Sequence, residues 1–199
     1  FGNLFTGDNN SDSGDKARIY ALDDKGELLG TYELDGVSAR DFEDLAIAPG
    51  AKPGEYHLYV GDIGDNAKAR AEIVIYRVLE PTIAAGQDPK DVKTISATAL
   101  PLRYPDGAHD AETLLVDPRS GDLYVITKDL LNATSTIYRA PAPLTTSATT
   151  MTEVGKLVFR KGALADVKSG LLTAGDVAPD GSAVLLRTYM DVLHWPWPA

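Results

Sequence analysis

The sequence predicts an all-β protein, a β-propeller built from four-stranded antiparallel blades. An acidic run that ends in Pro occurs twice in one frame, at residues 39–49 (ARDFEDLAIAP) and 108–118 (AHDAETLLVDP). A second signal accompanies it, because Ile-Tyr pairs recur at about 60-residue spacing, at Tyr20, Tyr76 and Tyr138. Short β-branched and aromatic runs that repeat at a fixed period, split by turn residues, are typical of propeller blades.

Each complete repeat contains four predicted strands. The second repeat has them at 44–48, 56–61, 72–78 and 92–99, and the third at 112–117, 122–127, 135–140 and 152–159. The outer repeats are predicted to contribute strands at 4–6, 19–22, 184–186 and 192–195. Pro-Gly, Ser-Gly-Asp and Pro-Asp-Gly turns separate neighbouring strands. A helix is expected, at most, around 84–91.

The repeats divide the chain at 1–37, 38–106, 107–165 and 166–199, all within a single domain. In this alignment the first repeat starts at its second strand and the fourth stops after its third. Propellers close in a ring of about 4–8 blades. We therefore expect about four blades here, as a partial chain of a larger ring.

Composition narrows the classes of function. Hydrophobic residues make up 44% and charged residues 24%, which is typical of an ordinary globular protein. The net charge of −10 argues against nucleic acid and anionic membranes as partners. No cysteine is present, which excludes disulfides, thiolate nucleophiles and Cys-based zinc sites. No apolar run reaches the roughly 20 residues of a membrane helix.

Acidic residues are predicted to gather on one face of the propeller, which we call the top face. The start of a blade's first strand and the end of its second strand lie on the same side of an antiparallel sheet. Carboxylate and amide oxygens suit a hard cation, calcium first and magnesium second. The predicted metal ligands are Asp41, Glu43, Asp44, Asp62, Asp65, Asn66, Asp110 and Glu112. A secondary metal candidate comprises Asp8, Asn10, Asp12 and Asp15, although Ser13 and Ile19 break the EF-hand pattern.

Other roles for these residues stay open. Asp, Asn and Gly are also ordinary turn residues, and Asp41 or Glu43 could cap backbone N–H groups and hold blade to blade. His109, Glu43 and Glu112 are the candidate catalytic residues, with His109 as a general acid or base beside Asp110. Alternatively, position 109 needs only a cation to pair with carboxylates, as Arg40 would in the other copy. Arg40, Arg70 and Lys128 are candidates for binding an anionic substrate group, or are solvated surface.

The motifs carry a family resemblance. They are residues 10–15 (NSDSGD), 17–23 (ARIYALD), 41–46 (DFEDLA), 58–66 (LYVGDIGDN) and 108–112 (AHDAE). On them the chain resembles a group of bacterial exported propeller proteins, which implies a secreted, periplasmic or cell-surface location. It is more distantly similar to phytase-like and esterase-like six-bladed propellers, whose strand-start acidic residues hold calcium on the top face. Thr173 departs from this pattern, since it stands where Glu43 and Glu112 stand.

The expected function is an exported propeller whose acidic top face binds a divalent cation. It would be a ligand-binding domain or a metal-assisted hydrolase of phospho- or carboxyl-esters, in which the metal polarises the ester and activates water. Its partner would be a small-molecule or polymer ligand at that face. A non-catalytic protein-interaction scaffold and a sugar- or lactone-processing propeller are the alternatives.

Overall fold

The computed structural model describes residues 4–7, 16–129, 134–158 and 170–197, and the regular structure in these ranges is all β. The strands are β1 (Leu4–Gly7), β2 (Arg18–Leu22), β3 (Leu28–Leu34), β4 (Phe42–Pro49), β5 (Tyr56–Asp62), β6 (Ile73–Leu79), β7 (Val92–Ile95), β8 (Ala97–Arg103), β9 (Ala111–Val116), β10 (Leu123–Thr127), β11 (Thr134–Ala140), β12 (Thr149–Thr150), β13 (Thr152–Val158), β14 (Leu172–Val177), β15 (Ala183–Thr188) and β16 (Val192–Pro196). The prediction of an all-β fold is confirmed.

The strands form four sheets that follow one another along the chain, as propeller blades do. Blade 1 contains β1, β2 and β3, and blade 2 contains β4, β5, β6 and β8. Blade 3 contains β9, β10, β11 and β13, and blade 4 contains β14, β15 and β16. Within each blade, neighbouring strands are antiparallel. The predicted blade architecture is therefore confirmed.

One strand prediction was wrong in its extent. The single strand expected at 92–99 is two strands, because β7 leaves blade 2 and pairs in parallel with β3 of blade 1. The same arrangement recurs one blade later, where β12, between β11 and β13 of blade 3, pairs in parallel with β8 of blade 2. Residues 84–91 form turns, not a helix. The side-chain amide of Gln87 donates a hydrogen bond to the carbonyl of Leu29 in blade 1. The hydroxyl of Thr31, also in blade 1, donates one to the carbonyl of Pro89.

Apolar side chains fill the spaces between blades. Ile19, Tyr32 and Phe42 belong to the core between blades 1 and 2. Ile75, Leu100, Leu114 and Val125 belong to the larger core between blades 2 and 3. Leu115, Ile126, Leu172 and Leu186 pack between blades 3 and 4. Blades 2 and 3 are thus covered on both faces by neighbouring blades, which is how a propeller buries strands whose two faces are both apolar.

Turn chemistry sets the geometry between the first and second strand of each complete hairpin. Gly54, Gly121 and Gly181 have φ angles of 78°, 76° and 68°. This left-handed conformation is strained for residues that carry a Cβ, so the predicted turn glycines are required there. Because these turns lie at one end of the blades, the opposite strand ends meet at the top face, where the acidic motifs lie.

Candidate functional site

The top face brings together the ends of two hairpins. Asp41 immediately precedes β4, and Asp62 is the last residue of β5, where it lies opposite Phe42. Asp110 immediately precedes β9, and Lys128 follows β10, where its backbone N–H donates to the carbonyl of Asp110 at 2.9 Å. We call the acidic side chains Asp41, Glu43, Asp62, Asp65, Asp110 and Glu112 the mouth.

Asp62 is held by a cation and by backbone donors. Arg70 Nη1 lies 2.8 Å from Asp62 Oδ1, and both side chains are almost fully buried. The backbone N–H groups of Asp41 and Arg40 donate to the same carboxylate at 3.0 and 3.3 Å. Its oxygens therefore fix the entry into β4. Arg40 itself is exposed, whereas Arg70 is committed to this buried ion pair.

Asp65 and Asp110 connect blade 2 to blade 3. The N–H of Asp65 donates to Asp110 Oδ1 at 2.9 Å, and the N–H of Arg70 donates to Asp65 Oδ2 at 2.7 Å. Both carboxylates are buried. Asn66, the next residue of the loop, is exposed. These bonds order the loop between β5 and β6 against the start of β9.

Glu112 has Lys128 as its counter-ion. Lys128 Nζ contacts Glu112 Oε1, and the two side chains are only 6% and 12% exposed. The same ammonium group lies 5.9 Å from the centre of the Tyr189 ring, in blade 4. Glu112 is thus a paired carboxylate, which weakens its case as a metal ligand or catalytic base.

Asp44 joins the first strands of blades 2, 3 and 4, which are β4, β9 and β14 and which we call the inner strands. Its Oδ1 accepts the N–H of Leu45 at 3.0 Å, and its Oδ2 accepts those of Leu114 at 2.9 Å and Gly175 at 3.1 Å. These three residues occupy equivalent positions in β4, β9 and β14, counted back from the Pro that ends each run. Burial raises the pKa of Asp44 to about 7, whereas the three N–H donors act in the opposite direction.

The blade-to-blade role that the sequence suggested for Asp41 or Glu43 therefore has its structural counterpart in Asp44. Blade 4 has Thr173 instead of an acidic residue at the position of Glu43. The Thr173 hydroxyl accepts a hydrogen bond from the Arg187 side chain and donates one to the Arg187 carbonyl, both within blade 4. The inner end of the propeller is accordingly asymmetric: one carboxylate from blade 2 bonds blades 3 and 4. This use of both oxygens leaves Asp44 poorly placed to coordinate a cation.

Asp41 and Glu43 behave differently from the rest of the mouth. Among the described residues, neither carboxyl group has a basic side chain at ion-pair distance or an N–H donor. The two carboxyl groups hydrogen-bond each other, and both lie against Gly64. A Cβ at Gly64 would come within 2.6 Å of Glu43 Oε1, so the absent side chain makes room for the pair.

The electrostatics of this pair follow from its burial. Burial first and the neighbouring charge of Asp41 second raise the pKa of Glu43, which reaches about 8 although Lys128 acts against the shift. Burial also raises the pKa of Asp41, although its hydrogen bond to Glu43 lowers it. Their mutual hydrogen bond raises the pKa of Glu43 and lowers that of Asp41, a direction that favours Glu43 as the donor of a shared proton. The pair differs in this respect from the other carboxylates of the mouth, which face backbone donors or a basic side chain.

His109 does not pair with Asp110. Its Nε2 lies 3.0 Å from Asp106 Oδ1, and Tyr138 donates its hydroxyl to Asp106 Oδ2 at 2.8 Å. The Tyr104 ring packs edge-on against His109, with 4.9 Å between ring centres. Burial acts to raise the pKa of Asp106, but the bonds from Tyr138 and His109 hold it below its usual value.

The sequence reasoning missed Asp106, Tyr104 and Tyr138 as neighbours of His109. Residues 104–107 (YPDG) look like turn chemistry, and Tyr138 looks like a core residue of an Ile-Tyr strand. One available signal was alternation: adjacent residues at a strand start point to opposite faces, so Asp110 was a poor partner for the His109 ring.

The predicted metal ligands do not all converge. In the ranges that the structure describes, no group of three or more His, Asp or Glu side chains is arranged to hold a metal ion. The secondary candidate residues Asp8, Asn10, Asp12 and Asp15 lie outside the described residues. Of the primary set, Asp41 and Glu43 remain the pair with free acceptor capacity. The calcium site therefore stays a prediction, reduced to two protein carboxylates.

Comparison with known proteins identifies no family for the chain. No protein-family model matches the chain, and a search of the curated proteins finds no relative. One similar solved structure is a chain in the crystal structure of a mitotic checkpoint complex, at 12% identity and a TM-score of 0.45. The similarity covers 98% of this chain and 45% of that one. Nor do the described residues include a helix long and apolar enough to cross a membrane. The assignment as a β-propeller therefore rests on the sheet topology of the chain itself.

Proposed function

We propose that this chain is a ligand-binding β-propeller whose functional centre is the Asp41–Glu43 pair, where a divalent cation displaces the shared proton. The observation that carries the proposal is the contrast within the mouth. Asp62, Asp65, Asp110 and Glu112 are all committed to backbone donors, Arg70 or Lys128. Asp41 and Glu43 share only a proton, and their adjacent oxygens favour a positive charge between them.

The donor set indicates calcium before magnesium and a weak site. Two carboxylates supply a minority of the six to eight oxygens that calcium takes, so water or a ligand would supply the others. Affinities of about 10⁻⁴–10⁻³ M characterise such extracellular sites. This range fits the exported location that the family resemblance implies. A bound ligand could complete the coordination, and a hydrolytic role on phospho- or carboxyl-esters would be the finer form of this proposal.

Calcium titration into metal-free protein tests the proposal. If Kd is about 1 mM, 10 mM calcium would stabilise the folded state by about 1.4 kcal/mol, which raises the melting temperature by about 3–5 °C. Glu43→Gln should remove most of this rise, while Glu27→Gln, an exposed carboxylate in blade 1, should preserve it. No rise at 10 mM calcium, or an equal rise in Glu43→Gln, would overturn the cation site.

Proton release provides a second readout that is specific to the shared proton. At pH 7, calcium binding to the pair should release a proton from Glu43, because the cation and the proton compete for the same oxygens. Calorimetric titrations in two buffers with different ionisation enthalpies measure this release. Binding without proton release would place the cation elsewhere on the protein.

A non-catalytic interaction scaffold is the second candidate. The observation that favours it is that Asp44 and Asp62 use their carboxylates to order backbone segments within and between blades. In that case the acidic motifs would exist for folding alone. The scaffold predicts no calcium shift and no turnover on a panel of phosphate and carboxyl esters.

A further inference from the structure

A cavity of about 290 Å³ lies beside the mouth, at the top of blade 3. Residues at the end of β10, the start of β11 and within β13 line it, together with Lys68 from the loop after β5. Among the residues that the structure describes, its lining is made of polar side chains, chiefly lysine, threonine and aspartate, and His109 is the one aromatic ring. Such a lining fits a polar ligand, not an apolar one.

Three lysines line this cavity from three separate segments: Lys68, Lys128 and Lys156. The chain has 29 acidic against 19 basic residues, so its composition does not favour such a cluster. Asp110 and Asp129 supply the opposing charge. The Asp110 carboxylate is already engaged by the Asp65 N–H. The cavity is therefore rich in donors on a protein that is acidic elsewhere.

Part of the cavity wall is rigid. Lys128 is buried and held by Glu112, so its position does not depend on a ligand. Thr127 is also buried, and its Oγ1 accepts the N–H of Thr136 at 2.9 Å. Since that bond uses a lone pair, the hydroxyl proton of Thr127 stays available for donation.

The other two lysines come from exposed positions at the rim. Lys68 follows the ordered loop of blade 2, where its N–H donates to the carbonyl of Asp65 at 2.7 Å and its φ is 50°. No described acidic side chain lies within ion-pair distance of its ammonium group. Lys156 is half exposed and lies 3.3 Å from Glu153, an exposed pair of little strength. Both ammonium groups can therefore turn to a ligand at low cost.

We propose that this cavity binds a small oxyanion, a carboxylate or a phosphate group, through Lys68, Lys128 and Lys156 with the hydroxyl of Thr127. Charge-assisted hydrogen bonds from ammonium groups to an oxyanion are short and strong, and several donors on one anion provide specificity. The inference goes beyond the proposed cation site, because the oxyanion is held by side chains other than Asp41 and Glu43.

Calorimetric titration with inorganic phosphate and with malonate tests the proposal. The protein and buffers are made metal-free with a chelating resin, and the titrations are done at pH 7.5 and constant ionic strength, with sodium chloride as the non-oxyanion control. We expect millimolar or tighter binding of at least one oxyanion, weakened about fivefold or more by Lys68→Met and by Lys156→Met. Lys25→Met, an exposed lysine in blade 1, should bind as the wild type does. The oxyanion that binds more tightly shows whether the cavity prefers a phosphate or a carboxylate group.

Two results would overturn the oxyanion site. One is no binding of phosphate or malonate below about 10 mM, and the other is equal affinity in wild type, Lys68→Met and Lys156→Met. Because divalent cations are absent from these titrations, failure here leaves the calcium proposal untouched. Conversely, Glu43→Gln should retain oxyanion binding even if it abolishes the calcium shift.

Discussion

Asp44→Ala is expected to destabilise the protein more than any other single carboxylate removal at the inner strands. The substitution leaves the N–H groups of Leu45, Leu114 and Gly175 without their acceptor. An unsatisfied buried donor costs about 1–3 kcal/mol, and water that enters the vacated space would recover part of that cost. We therefore expect a loss of about 3–5 kcal/mol, a large share of the 5–15 kcal/mol that typically holds a domain folded.

Asp44→Asn separates the hydrogen bonds from the charge. The amide oxygen can accept two of the three N–H groups, but the NH₂ group then faces the third donor. We expect this variant to lose roughly half of what Asp44→Ala loses. If burial of the charge were the dominant effect, Asp44→Asn would instead be more stable than the wild type at pH 7. The reason is that burial raises the pKa of Asp44 to about 7, so the charged carboxylate is disfavoured in the folded state.

Urea unfolding at pH 7, followed by tryptophan fluorescence and circular dichroism, measures both variants. Asp24→Ala, an exposed carboxylate in the turn between β2 and β3, is the matched control and should change stability by less than about 0.5 kcal/mol. The reasoning is refuted if Asp44→Ala loses less than about 1 kcal/mol, or if Asp44→Asn is more stable than the wild type.

Three further predictions follow from the mouth. The pKa of Glu43 rises from 4.5 to about 8 on folding, so its contribution to stability is present below about pH 4.5 and lost as pH approaches 8. Wild type should accordingly lose melting temperature relative to Glu43→Gln between pH 5 and pH 9, and a constant difference would contradict the shared proton. Gly64→Ala should cost about 1–3 kcal/mol of folding stability by displacing the Asp41–Glu43 pair, and it should abolish the calcium shift. Gly155→Ala is the control and should do neither, because a Cβ at Gly155 would lie 3.9 Å from its nearest neighbouring atom. Arg70→Met leaves Asp62 buried without its cation and should cost about 3–5 kcal/mol of folding stability. Adding Asp62→Asn should restore part of this loss, whereas additive losses in the double-mutant cycle would argue against the ion pair.

The repeat frame predicted the blades well because strand signals are local. Pro49 is the last residue of β4 and Pro118 lies two residues beyond the end of β9, and turn glycines such as Gly121 have the φ that their hairpins need. The one misjudged strand, at 92–99, contains β7, whose partner β3 lies in a different blade. Nothing in residues 92–99 shows that their first half pairs with a distant strand, so that break was not readable from them.

The sequence alone determined that acidic residues gather on one face, since antiparallel hairpins place Asp41, Asp62 and Asp110 at the same strand ends. Only the tertiary structure decided what each carboxylate does. Asp44 bonds Gly175 across 131 positions of sequence, and Lys128 faces Glu112. A carboxylate's role depends on the donor or cation that the fold places opposite it, and such partners come from other blades. That is the physical reason why seven carboxylates that look equivalent as ligands in the sequence differ in the fold, where Asp41 and Glu43 are the pair without a basic partner or N–H donor among the described residues.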